Sequence, residues 1–178
     1  MKYIALLRGI NIGRHKRIKM ADLVNVFESS GSKNVKTYLQ SGNVVFEYDF
    51  HDAAEIAESI ERKIGQKFSF PVNVIIRTRD ELETIVKDNP FIKKQDIKLD
   101  KLYVTFLSDI PGPEVILNIG IDKDENEKFE IKGREVYLYC PNGYAKTKLK
   151  NNIFEKKLNT VATTRNWKTT NKLLELSK

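Results

Sequence analysis

Residues 35–40 and 43–48 are two extended runs separated only by Ser41-Gly42. A two-residue gap ending in glycine closes a tight hairpin, because the favoured turns there need positive φ. The hairpin commits the first third of the chain to antiparallel sheet, and the neighbouring segments must be arranged around it. With Ser41 and Gly42 as the turn, Gln40 is expected to face Asn43 and Tyr38 to face Val45. Alternation across the pleat then places Val35, Leu39, Val44, Phe46 and Tyr48 on an inner face. Lys36, Tyr38, Gln40, Asn43 and Glu47 take the other.

Residues 2–7 read as a fully buried strand, followed by a polar, glycine-marked loop over 8–17. Met20, Leu23, Val24 and Phe27 recur at helical spacing, and Gly31 stops that helix. A second helix carries Ala53, Ile56, Ala57, Ile60 and Ile64 on one stripe, with Gly65 near its end. Pro71 opens a strand over 72–77. The order is βαββαβ, the ferredoxin-like arrangement.

Thr78-Arg79-Asp80-Glu81 is a capping box that starts a third helix. The charged stretch 92–100 serves as a connector. Residues 102–107 are a strand, Pro111-Gly112-Pro113 starts a short helix or turn, and 129–131 and 135–139 form another hairpin. Ala145, Leu149, Ile153 and Leu158 mark a helix. Trp167, Leu173 and Leu174 mark the last, with Thr163 or Thr164 as its N-cap and Trp167 in the core. The fold class is α+β: two ferredoxin-like-related subdomains, βαββαβ followed by roughly αβαββαα. The expected boundaries are 1–78 for the first subdomain, 79–100 for a helix and connector, and 101–178 for a second subdomain with a basic helical tail.

With 40% hydrophobic and 31% charged residues, the 178-residue chain has the composition of a globular protein able to bury a core unaided. One cysteine, Cys140, precludes an internal disulfide, and two histidines beside it argue against a zinc site. The apolar run over 3–7 is too short for a signal peptide or a membrane span, so a cytoplasmic location and no membrane partner are expected. The net charge of +7 favours anionic partners, a small molecule or nucleic acid.

The loop over 8–17 is the first candidate site. Gly9 and Gly13 free the backbone, Arg8, Arg14, Lys16, Arg17 and Lys19 supply charge, and a helix N-terminus follows, a combination suited to phosphate. The spacing is neither a P-loop nor a dinucleotide fingerprint, and no cofactor or metal is expected. The tail is the second: from Tyr144 to Lys172 eight cations face a single acid, Glu155. There Thr163, Thr164, Arg165 and Asn166 stand at a helix start, where hydroxyls, N–H groups and a guanidinium suit an oxyanion. The hairpin face is the third, with Tyr38, Gln40 and Asn43 able to read a small polar ligand. An RNA-recognition module is rejected, because Asn43 and Val45 stand where stacking aromatics belong and Tyr3 alone fits. Catalysis has little support: His15 has no acid nearby, His51 beside Asp52 reads as surface or cap, Cys140 as a strand cysteine, and 122–125 as no complete calcium loop.

Tyr3-Ile4-Ala5-Leu6-Leu7-Arg8-Gly9-Ile10-Asn11-Ile12-Gly13, Ile18-Lys19-Met20 and Asn34-Val35-Lys36-Thr37-Tyr38-Leu39-Gln40-Ser41-Gly42-Asn43-Val44-Val45-Phe46 resemble the bacterial "domain of unknown function 1697" family. So do Tyr139-Cys140-Pro141-Asn142-Gly143-Tyr144, Lys146-Thr147-Lys148-Leu149 and Ala162-Thr163-Thr164-Arg165-Asn166-Trp167. The resemblance implies two α+β subdomains related to the ferredoxin-like pattern, and no activity. Where the family often has paired glycines, this chain has Gly13-Arg14.

The segments that carry the resemblance are loops and element ends, where functional residues concentrate. Arg8, Asn11, Ser41, Asn43, Lys146, Lys148, Arg165 and Asn166 are expected to converge on one basic cleft between the halves, with Arg14 and Thr164 beside them. The expected function is binding of a phosphorylated or other anionic ligand, a nucleotide or nucleic acid. Two rivals are an enzyme acting on a phosphorylated small molecule through Lys and Arg and a protein-partner scaffold.

Overall fold

The computed structural model describes residues 1–49 and 52–178; His51, read above as surface or cap, lies outside them. The elements run β1 (Lys2–Leu7), α1 (Met20–Ser29), β2 (Lys33–Tyr38), β3 (Asn43–Glu47), α2 (Ala53–Phe68), β4 (Val74–Thr78), α3 (Arg79–Lys87), β5 (Leu102–Leu107), α4 (Pro113–Leu117), β6 (Lys128–Lys132), β7 (Glu135–Tyr139), α5 (Asn151–Leu158), β8 (Ala162–Asn166) and α6 (Trp167–Leu176). Two units emerge. The first comprises Met1–Glu83 with Lys172–Lys178, the second Thr84–Asn171. Each holds one four-stranded antiparallel sheet, in the orders β2-β3-β1-β4 and β6-β7-β5-β8. The fold is α+β, two ferredoxin-like-related subdomains.

In the first unit β1 is central, and its unbroken apolar run is what a strand buried on both faces requires. Tyr3, Ala5 and Leu7 join Phe27 of α1, Ile56, Ile60 and Ile64 of α2, and Phe46 of β3 in one core. Phe46 stacks on Tyr3 with centroids 5.7 Å apart and meets Phe27 edge-on at 5.1 Å. Ile4, Leu6 and Val45 point to the opposite face and are buried too. Tyr3 is therefore a core side chain, buried where a stacking aromatic would have to be exposed.

The hairpin differs from expectation. Tyr38 pairs with Asn43 and Thr37 with Val44, so the turn spans residues 39–42 rather than 41–42. Leu39 takes φ +61 and lies outward, 53% exposed, instead of on the inner face. The longer turn follows from how it docks on β1. Leu7 N–H donates to Gly42 O at 2.8 Å, and an added Cβ on Gly42 would stand 2.6 Å from Ile10 Cδ1. As expected, α2 has Gly65 near its end; it continues to Phe68, where Ser69 in the left-handed region ends it. Burial of Ile64 and the packing of Phe68 on the core hold Gly65 helical despite its poor propensity. β4 begins at Val74, not at residue 72.

The second unit contains a strand where the sequence predicts a helix cap at Thr163 or Thr164. Residues 162–166 form β8, which pairs with β5 from Leu107↔Ala162 to Tyr103↔Asn166. Neither Thr163 nor Thr164 caps α6; Asn166 does, its Oδ1 accepting from Thr169 N–H at 2.7 Å. The preceding helix is shorter than expected, since Ala145 and Leu149 precede its start at Asn151. Leu107, Val136, Leu138, Cys140, Leu149, Phe154, Leu158 and Ala162 make the core.

With β8 in place the two units repeat the same βαββαβα order. Arg77 lies opposite Ile4 and Arg165 opposite Val104, the same register position in each sheet. Both arginines are buried, and each donates to the carbonyl of the residue before it, at 2.9 and 3.0 Å. The next residue caps the following helix in both: Thr78, in a reciprocal box with Glu81, and Asn166.

Candidate functional site

Arg8, Asn11, Arg14, Ser41 and Asn43 all lie at one end of the first unit's sheet, where β1 ends and β3 begins. Lys146, Lys148, Thr164, Arg165 and Asn166 belong to the second unit.

In the first unit the loop over 8–19 holds five cations and no acid. Its shape comes from Asn11, at φ +55, a conformation asparagine tolerates better than most residues. The Asn11 amide donates to Ile18 O at 2.9 Å and Gln40 O at 2.7 Å, and accepts from Ile18 N–H at 2.9 Å. One side chain thus closes the loop on itself and clasps it to the hairpin turn. Asn43 is fully buried, donating to Tyr38 O at 2.7 Å and Ser41 Oγ at 3.1 Å. These two asparagines hold the loop and the turn in shape. Lys16 is tied to Pro71 O at 2.7 Å. Arg8 is half-buried at the end of β1, and Arg14, Arg17 and Lys19 are exposed.

Beside this clasp lies a recess of about 570 Å³. Its wall carries Arg17, Lys19, Gln40 and the half-buried ring of Phe68, together with Asp22 in the first turn of α1. Lys19, the N-cap of α1, makes no side-chain capping bond. The amides of the first helical turn are donors without intrahelical acceptors, at the positive end of the helix dipole. Asp22 takes up part of that potential, 3.7 Å from Lys67 Nζ. Phe68 is not among the residues expected from sequence to form a site; its signal is that it continues the Ile60, Ile64 stripe by one more turn.

In the second unit the tail residues engage one another. Thr164 Oγ1 lies 2.7 Å from Thr105 Oγ1 and donates to Asn151 Oδ1. The Tyr144 hydroxyl stands 3.2 Å from Thr164 Oγ1 and accepts from Asn151 N–H at 3.1 Å, the first amide of α5. Burial raises the Tyr144 pKa, and its hydrogen bonds to Thr164 and Asn151 offset part of the rise. Arg165 donates to Thr163 Oγ1 at 2.8 Å, and burial lowers its pKa to about 10. Lys150 donates to Tyr144 O and Ala145 O, with its ammonium 4.9 Å from the Tyr144 ring. Lys148 is neutralised by Asp122 at 2.9 Å, and Lys146 is exposed. A recess of about 540 Å³ is lined by Lys148, Lys150 and Lys157 over Ile121 and Ile153, but two of its three ammoniums already have protein partners.

Cys140 is buried, which pushes its thiol up to about 11 and leaves almost no thiolate at neutral pH. Among the described residues no group of three or more His, Cys, Asp or Glu side chains is placed to hold a metal ion. Nor, among them, is any helix long and apolar enough to cross a membrane.

No curated protein matches the chain. Among solved structures, the chain is similar to the conserved bacterial protein SP0830 from Streptococcus pneumoniae, with a TM-score of 0.74 and 21% identity over 99% of this chain and 98% of that one. At that identity the likeness speaks for the fold alone. A family model described as "Protein of unknown function (DUF1697)" matches residues 1–137. That span includes the loop over 8–19, the hairpin and both recess-forming helices, so the chain belongs to the DUF1697 family.

Proposed function

We propose that this protein binds a phosphate-bearing ligand of the nucleotide class in the recess of the first unit. The observation that carries the reading is the first turn of α1, without a side-chain cap, opening on a recess walled by Arg17, Lys19 and Phe68. Free amides and two cations suit a phosphate, the phenyl ring suits the face of a base, and Gln40 offers an amide that can pair with a base edge. Arg8 and Arg14 extend the positive field, and Asn11, Ser41 and Asn43 hold the loop and turn in shape. Of the second unit's candidates, Lys146 is exposed, while Lys148, Thr164, Arg165 and Asn166 are engaged by protein partners and take no ligand in this reading.

A thermal-shift and calorimetric titration with nucleoside mono-, di- and triphosphates, the free nucleoside and inorganic phosphate tests it. At a ligand concentration of 100 Kd, binding stabilises the native state by about 2.7 kcal/mol, which for a chain of this size raises Tm by roughly 5–10 °C. The nucleotide is expected to shift Tm where the nucleoside does not, and Arg17→Ala with Lys19→Ala to abolish the shift. Absence of a shift from every phosphate, or an undiminished shift in the double variant, overturns the proposal.

A further inference from the structure

Two aliphatic side chains stand in water beside the recess. Ile12 is 69% exposed and Leu39 is 53% exposed. They flank the Asn11–Gln40 clasp on its two strands of chain, so they project from the same rigid junction. A scattered exposed leucine needs no explanation, but Leu39 is held at φ +61. A γ-branched residue in the left-handed region is a conformational outlier, and glycine would occupy the position without strain. Leu39 thus gains neither burial nor backbone comfort where it sits. Such outliers persist where the surroundings over-determine them, and they cluster at ligand clamps. Here Gly42 N–H donating to Leu39 O at 3.4 Å, the Leu7 bond to Gly42 and the Asn11 clasp supply that determination.

The surroundings of this apolar tip are cationic. The loop that carries Ile12 contains Arg8, Arg14, Lys16, Arg17 and Lys19 with no acid, and the chain has a pI of about 9.3. Only two of those cations, Arg17 and Lys19, line the recess. A free nucleotide placed there reaches neither Arg14 nor the two aliphatics, whereas a chain of phosphates can run along all three.

We infer that the ligand of this site is a nucleic-acid strand, with Ile12 and Leu39 as apolar wedges against its bases, the acid-free loop along its phosphates and the recess taking one unstacked base. Aliphatic wedges beside cationic phosphate contacts are how many architectural proteins unstack base steps, and phosphate neutralisation carries the affinity. An anionic bilayer could also receive an aliphatic tip with a basic collar, but a walled recess with an aromatic ring and an amide has no use on a flat lipid surface. The inference rests on the reading proposed above for the recess.

The test is fluorescence anisotropy of the full chain with labelled 20-nucleotide single strands and duplexes over a salt series, with nucleoside triphosphate and phosphatidylserine vesicles as comparisons. Single strands are expected to bind at least tenfold more tightly than the triphosphate, with a log–log salt slope of roughly −2 to −4. Leu39→Gly and Ile12→Ala should each weaken strand binding about tenfold without changing the slope. Leu39→Gly should leave Tm unchanged or raised, which separates lost contact from lost folding. Triphosphate binding as tightly as the 20-mer, or wild-type affinity in both variants, overturns the inference and leaves the recess reading standing if Arg17→Ala with Lys19→Ala abolishes triphosphate binding. Binding to vesicles without binding to oligonucleotides overturns it in favour of a lipid surface. No binding to any of the three overturns both.

Discussion

Gly42→Ala separates two physical demands that meet at one residue. The backbone there is at φ +78, and the Cβ of an alanine would stand 2.6 Å from Ile10 Cδ1 and 2.8 Å from Leu7 Cβ. Left-handed backbone costs a residue with a Cβ about 1–2 kcal/mol. Crowding adds about 1–3 kcal/mol, because Leu7 Cβ is fixed by the central strand and cannot swing away as a side-chain tip could. The sum is roughly 2–5 kcal/mol, a large share of the 5–15 kcal/mol typical of a native domain. Gly13→Ala is the internal control: its φ is +57, but an added Cβ meets nothing within 4 Å, so it carries the strain alone. Equilibrium urea unfolding followed by far-UV circular dichroism reads the difference. With an m-value of about 2 kcal/mol per molar urea, the midpoint should fall by roughly 1–2.5 M for Gly42→Ala and roughly 0.5–1 M for Gly13→Ala. Equal midpoints for the two variants would show that the approach of the turn to β1 is not tight, and would refute the account of why this turn has four residues.

Two further outcomes follow from caps and burial. Asn166→Ala should lower stability by about 1 kcal/mol in the same urea assay, because Thr169 N–H loses its acceptor, while Asn166→Asp should preserve it; an unchanged midpoint in the alanine variant would place the start of α6 elsewhere. Glu61, which accepts Val74 N–H at 2.7 Å, has its pKa raised chiefly by burial. Its folded-state pKa lies above the unfolded one, so the stability it contributes falls as pH rises through that window. Glu61→Gln keeps the acceptor and removes the charge, and should raise Tm relative to the parent at pH 7, with the gain gone below roughly pH 4; a lower Tm at pH 7 would sink the burial argument.

The parts of the fold that local rules govern were legible along the chain. β1 announces itself by an apolar run, α1 by Met20, Leu23 and Phe27. The start of α3 is written in Thr78 and Glu81, whose reciprocal bonds form as the spacing predicts. The family resemblance was carried by loops whose residues recur in both candidate groups. Other signals misled for a definite reason. Ala162-Thr163-Thr164-Arg165-Asn166 has the composition of a cap, and threonine serves both caps and strands. The segment is a strand because β5 offers a free edge and because Thr105, Thr164, Tyr144 and Asn151 satisfy one another's hydroxyls and amide. No local pattern reveals a partner 59 residues away.

The candidate site divides in the same manner. That the loop over 8–19 is cationic, acid-free and followed by a helix is a property of its residues in order, and so is the presence of a glycine-closed hairpin. Which of those residues face a ligand is not. Asn11 and Asn43 look like ligand-readers in sequence and become clasps in the structure, since an amide is engaged by whichever carbonyl tertiary packing brings to it. Phe68 and Gln40 enter the recess because α2 runs one turn past Gly65 and the turn starts at Leu39. Charge and element type follow from the chain alone, because they depend on near neighbours. Register, turn length and the identity of the exposed side chains are decided by long-range packing, where a contact such as Gly42 on Leu7 and Ile10 outweighs the local preference of any single residue.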